Sequence, residues 1–65
     1  MNTYHKVVTR ITERRNTIKY AGEIIADYIP ECTYTETITA DIYEDYFYTK
    51  EEAMLFIRTQ KKDLN

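Results

Sequence analysis

The sequence predicts an α+β fold: a single small domain over residues 1–65, in which a short antiparallel sheet packs with helices. A hairpin over 33–48 supplies the sheet, joined by a strand over 4–12, and the helices fall near 17–29 and 50–62. The alternative arrangement is a three-stranded β-meander followed by the C-terminal helix. Three observations lead to this class. Thr33, Thr35, Thr37 and Thr39 alternate with Tyr34, Glu36, Ile38 and Ala40, a period of two. Thr49-Lys50-Glu51-Glu52 is a capping box. Pro30 closes a stretch whose apolar residues recur at helical spacing.

Residues 4–12 read as a strand because Val-Val-Thr-Arg-Ile-Thr is rich in β-branched side chains. Tyr4, Val7, Val8 and Ile11 keep helical phase with the next segment, but one continuous helix would put Arg14 and Arg15 in the apolar stripe. A break at Arg14-Arg15-Asn16 follows. Over 17–29, Ile18, Ala21, Gly22, Ile25, Tyr28 and Ile29 form one stripe on a helical wheel, opposite Lys19, Glu23 and Asp27. Asn16 or Thr17 would cap such a helix. A strand competes, since Ile18, Tyr20, Gly22, Ile24, Ala26 and Tyr28 occupy every even position. Over 33–48 the alternation runs into Asp41, Glu44 and Asp45, so the hairpin is expected to turn near 41–45, with Tyr46-Phe47-Tyr48 returning.

The last element is the clearest. Thr49 can accept from the Glu52 amide, and the Glu52 carboxylate can reach back to Thr49. Glu51 and Glu52 at the start and Lys61 and Lys62 at the end also suit the helix dipole. Ala53, Met54, Phe56 and Ile57 can share a buried face, leaving Leu55 among Glu51, Glu52, Arg58 and Lys62. The expected core draws on Val7, Ile11, Ile18, Ile25, Ile29, Ile38, Ile42, Met54, Phe56 and Ile57. A chain of this length buries only about 60% of the surface its unfolded form exposes, so its margin is thin and dimerisation would help it.

Composition narrows the function classes. Hydrophobic residues at 43% and charged residues at 31% suit a globule rather than a disordered tail. The apolar runs are too short for a membrane span or a signal-peptide core, so a cytoplasmic protein with no membrane partner is expected. One cysteine, Cys32, excludes an internal disulfide and a CxxC knuckle. A single glycine and no serine remove phosphate-cradling loops and serine nucleophiles. His5 and Cys32 are the only members of a conceivable Cys–His pair, which would need an unusually reactive thiol. Glu44–Asp45 lie next to each other in a strand and face opposite ways, while Glu51–Glu52 are explained by capping. No metal or cofactor is expected, nor a small-molecule substrate.

Charge is segregated along the chain despite a net value of −2. Residues 1–20 carry Lys6, Arg10, Arg14, Arg15 and Lys19 against Glu13 alone; residues 21–53 carry nine acids against Lys50. The plain explanation is that the two segments pair with each other. As a site, the basic residues Lys6, Arg10, Arg14, Arg15 and Lys19 could hold nucleic-acid phosphates, although the acidic middle would repel the same backbone. The acidic, tyrosine-rich stretch is more suggestive. Seven tyrosines with no tryptophan exceed what a small core needs, and tyrosine is favoured at interfaces. The candidate partner-binding residues are Tyr43, Glu44, Asp45, Tyr46, Tyr48 and Leu55, whose carboxylates would select a basic partner surface. The expected function is a non-enzymatic interaction module, a regulator or inhibitor docking on a larger protein. In its extreme form that is nucleic-acid mimicry against a nucleic-acid-binding protein. The size would suit a phage or other mobile element. A nucleic-acid-binding regulator using the basic segment is the alternative.

Overall fold

The computed structural model describes residues 1–36 and 39–64, with side chains through Lys62. It shows a four-stranded antiparallel sheet and one C-terminal helix, an α+β fold. The strands are β1 (Asn2–Ile11), β2 (Asn16–Ala26), β3 (Thr33–Glu36) and β4 (Asp41–Phe47), in the spatial order β2-β1-β4-β3; α1 spans Lys50–Leu64. The strand expected over 4–12 and the C-terminal helix are present.

The tight turn at 12–15 is held by Thr12. Its hydroxyl donates to the Arg15 carbonyl at 2.6 Å and accepts from the Arg15 amide at 2.9 Å, and the Thr12 amide bonds the same carbonyl at 3.0 Å. Such local side-chain bonds let a threonine close a turn. The turn folds β2 back onto β1 along nearly the whole length of both strands.

This pairing overturns the helix expected over 17–29: the segment is β2 as far as Ala26. Two facts of the sequence favour the strand. Thr17, Ile18, Ile24 and Ile25 are β-branched, and Gly22 weakens a helix interior by about 1 kcal/mol relative to alanine. In the strand Gly22 has φ +109°, which glycine adopts readily, and it sits at a β-bulge: Lys6 faces Gly22 while Val7 faces Tyr20, leaving Ala21 as the extra residue. The bulge moves the even positions of β2 from one face of the sheet to the other. Ile18 and Tyr20 lie on the side of Val7, whereas Ile24 is paired with Tyr4 on the opposite side.

The core is correspondingly divided. Val7, Ile18 and Ala53 are buried, with Tyr20, Phe47, Phe56 and Ile57 packed against them; the Phe47 and Phe56 rings are 5.0 Å apart. On the other face Tyr4 is only 1% exposed and packs on Tyr48 at 5.6 Å. Several expected core residues lie elsewhere. Ile25 is 69% and Ile29 40% exposed, because the bulge and the end of β2 leave them beyond the reach of α1. Ile42 is half-buried on the face away from the helix, opposite Arg10. Ile38, together with Thr37, is outside the described residues.

The second hairpin pairs Thr33 with Glu44 and Glu36 with Asp41. Its turn therefore comes before Asp41, not at 41–45, and those acidic residues are ladder members. At the helix start the Glu52 amide donates to the Thr49 hydroxyl at 3.1 Å, and the Ala53 amide to the Thr49 carbonyl at 3.2 Å. The Glu52 carboxylate accepts from the Thr49 hydroxyl at 3.2 Å rather than from its amide. α1 packs on β2, β1 and β4 but makes no comparable contact with β3, so the helix covers only part of one sheet face.

Candidate functional site

Strand alternation decides which side chains stand together on β4 and its edge neighbour. Asp41, Tyr43, Asp45 and Phe47 point to the helix side. Phe47 lies under α1, and the other three lie on the part of the face that β3 extends. Tyr34 and Glu36 of β3 join them, because Tyr34 pairs with Tyr43 and Glu36 with Asp41. The Tyr34 and Tyr43 rings pack at 4.8 Å with an angle of 42° between their planes. The Tyr34 hydroxyl donates to Glu36 and to Asp41, both at 3.2 Å. Desolvation and these two carboxylates push the Tyr34 phenol up to about 12. The result is an acidic aromatic patch whose rings are fixed by each other and by carboxylates, with Tyr34 itself 50% exposed.

Cys32 borders this patch. Its thiol donates to Asp45 at 3.1 Å, and that hydrogen bond, with burial and the negative charge, raises the thiol pKa. A thiol held protonated is a poor nucleophile. His5 has a different partner: its Nδ1 lies 3.0 Å from the Tyr20 hydroxyl, with the two rings stacked at 6.0 Å. Each member of the conceivable Cys–His pair is thus committed to another group. Among the described residues no group of three or more His, Cys, Asp or Glu side chains could hold a metal ion.

The structure separates the six candidate partner-binding residues. Tyr43 and Asp45 share the helix-side patch, whereas Glu44 and Tyr46 alternate to the opposite face and Tyr48 follows them beside Tyr4. Leu55 is 60% exposed on the outward side of α1. Tyr34, Glu36 and Asp41, which belong to the acidic tyrosine-rich stretch of the sequence but are not among those six candidates, complete the patch. The signal was present in the alternation Tyr34-x-Glu36 and Asp41-x-Tyr43-x-Asp45, but the relevant pairing depended on where the turn fell.

The basic candidates also divide. Lys6 bonds Glu44 at 2.7 Å, which raises the lysine pKa and lowers that of the glutamate through the shared hydrogen bond. This is the only ion pair among the described residues, so the pairing expected between the basic and acidic segments is limited to one contact. Arg10, Arg15 and Lys19 line a shallow depression with Thr12 and Thr17. Arg14 lines a second depression at the end of the sheet, together with Ile11, Glu13, Glu36 and Asp41, and Arg10 borders this one as well. Among the described residues no helix is long and apolar enough to cross a membrane. No protein-family model matches this chain, and neither a curated protein nor a solved structure matches it.

Proposed function

We propose that the chain is a non-enzymatic protein-interaction module, a small regulator or inhibitor that docks on a larger protein through the acidic tyrosine patch. One observation carries this reading. The β3 edge of the sheet face, which α1 does not contact, presents two packed tyrosines, Tyr34 and Tyr43, among Glu36, Asp41 and Asp45. Rigid aromatic rings lose little freedom on binding, so they serve as anchors. The surrounding carboxylates select a basic surface and speed encounter with it. A protein whose own task is to bind nucleic acid offers such a surface, and the patch would compete there with phosphate.

The proposal is tested by affinity capture from nuclease-treated lysate, comparing the wild type with Tyr34→Ala/Asp41→Asn. Both side chains lie outside the apolar core, so the variant keeps its fold. A stoichiometric protein retained by the wild type and lost by the variant supports the reading. Equal capture by the two places binding elsewhere. Glu44→Ala/Tyr46→Ala alters the opposite face and leaves this capture intact.

A further inference from the structure

We propose that the sheet face opposite α1 is a separate binding surface for single-stranded nucleic acid, with its phosphates held by Arg10, Arg15 and Lys19. The argument begins with how the strands sort charge. Glu36, Asp41 and Asp45 all alternate to the helix side; Arg10 reaches the sheet end where Glu36 and Asp41 also lie, while the depression it shares with Arg15 and Lys19 contains no acid. Among the described residues the one strand carboxylate on the cationic face is Glu44, and it is already bonded to Lys6 at 2.7 Å. Glu13, in the turn, lines the depression at the sheet end rather than the basic one.

The three cations come together because of the first hairpin. Val8 faces Lys19 and Arg10 faces Thr17, which sets Lys19 and Arg10 on adjacent strands and the same side, and the turn adds Arg15. All three are exposed, and none has a carboxylate partner among the described residues. Their neighbours on β1 and β4 are Val8 and Ile42, followed along β4 by Glu44, which Lys6 neutralises, and then the half-buried Tyr46. Among the described residues no helix lies on this face. A cationic rail beside an open apolar and aromatic floor is the arrangement that takes a strand by its phosphates and its bases. Neighbouring strands of a sheet lie about 5 Å apart, so the floor is about 10 Å across from β2 to β4 and one strand fits it.

The test uses the whole chain and fluorescein-labelled dT20, with anisotropy measured from 50 to 200 mM KCl. Three phosphate contacts on a single strand give a logarithmic salt slope of about −2, a loss of affinity of about 20-fold over that range. Arg10→Gln/Lys19→Gln leaves one contact and reduces the salt effect to about 3-fold. Both positions are exposed, and circular dichroism checks that the variant is folded. Amide shifts of the wild type on adding dT20 should fall on Val8, Arg10, Lys19 and Ile42. No binding at 50 mM KCl, an unchanged salt slope in the variant, tighter binding of a duplex, or shifts centred on Tyr34 and Tyr43 would each overturn the proposal. Tyr34→Ala/Asp41→Asn, which tests the protein-docking patch, leaves dT20 binding unchanged; loss of dT20 binding in that variant also counts against a separate face.

Discussion

Replacing Gly22 with alanine distinguishes a bulged strand from a helix by the sign of the stability change. In the structure Gly22 has φ +109°, and a Cβ built there meets nothing within 4 Å. The substitution is therefore free of steric clash, and its effect is that of the backbone alone. Holding an L-residue in so sparsely populated a conformation costs about 1–3 kcal/mol. Alanine offsets about 0.4–1 kcal/mol of this by restricting the unfolded chain. The net loss is about 1–2 kcal/mol, a fall in Tm of roughly 4–16 °C for a domain of this size. In a helix over 17–29 the same change would instead gain about 1 kcal/mol. Thermal unfolding followed by circular dichroism measures the difference directly. A D-alanine at position 22, introduced by chemical synthesis, accepts positive φ and should raise Tm above that of the glycine protein. A Gly22→Ala protein as stable as the wild type, or more so, would refute both the bulge and the strand pairing built around it.

The packing and the charges set further outcomes. Val7→Ala empties the centre of the sheet–helix interface, where Val7 is fully buried, and should destabilise the domain by about 2–3 kcal/mol in urea titration. Thr49→Ala removes the hydroxyl that accepts from the Glu52 amide and should lower stability by about 1 kcal/mol, while Thr49→Ser retains most of it. Because the folded-state pKa of Glu44 is lowered, its contribution is present above the unfolded carboxylate value and fades as pH falls through the folded one; Glu44→Gln should flatten the acid limb of the stability curve by no more than about 1 kcal/mol. Lys6 is shifted upward, so its share is lost only as pH rises past its folded value on the alkaline side. Asp45→Asn removes the carboxylate that keeps the Cys32 thiol protonated and should speed iodoacetamide alkylation at pH 8; an unchanged rate would show that the Cys32–Asp45 contact does not form in solution.

The candidate patch shows where reading along the chain loses information. Tyr43-Glu44-Asp45-Tyr46 looks like one surface because its residues are consecutive. In a strand consecutive residues separate, and this run supplies Tyr43 and Asp45 to one face and Glu44 and Tyr46 to the other. Tyr34, nine positions upstream of Tyr43, is a closer companion to it than Tyr46 is, since pairing across β3 and β4 sets their rings 4.8 Å apart. The sorting of charge has the same cause. Segregation along the sequence becomes segregation between faces only once the strands are paired, and Lys6 then meets Glu44, a residue of the opposite sign from the acidic middle of the chain.

The sequence by itself determined the elements whose causes are local. The capping box starts α1, the β-branched run makes β1, and Arg14-Arg15-Asn16 marks a break that Thr12 closes into a turn. It also determined the α+β class, because a helix with one buried face and strands with alternating side chains have to cover each other. What only the tertiary structure decided was the state of residues 16–26 and the membership of each face. Ile18, Gly22 and Tyr28 belong both to a helical stripe with Ala21, Ile25 and Ile29 and to a strand alternation with Tyr20, Ile24 and Ala26. The bulge, by shifting the strand's phase by one residue, sets Ile18 and Ile25 on one face as a helix would. Pairing with β1 resolves that ambiguity. The backbone bonds of β2 are completed by residues up to 24 positions earlier in the chain, a partnership between distant segments that no local window of sequence contains.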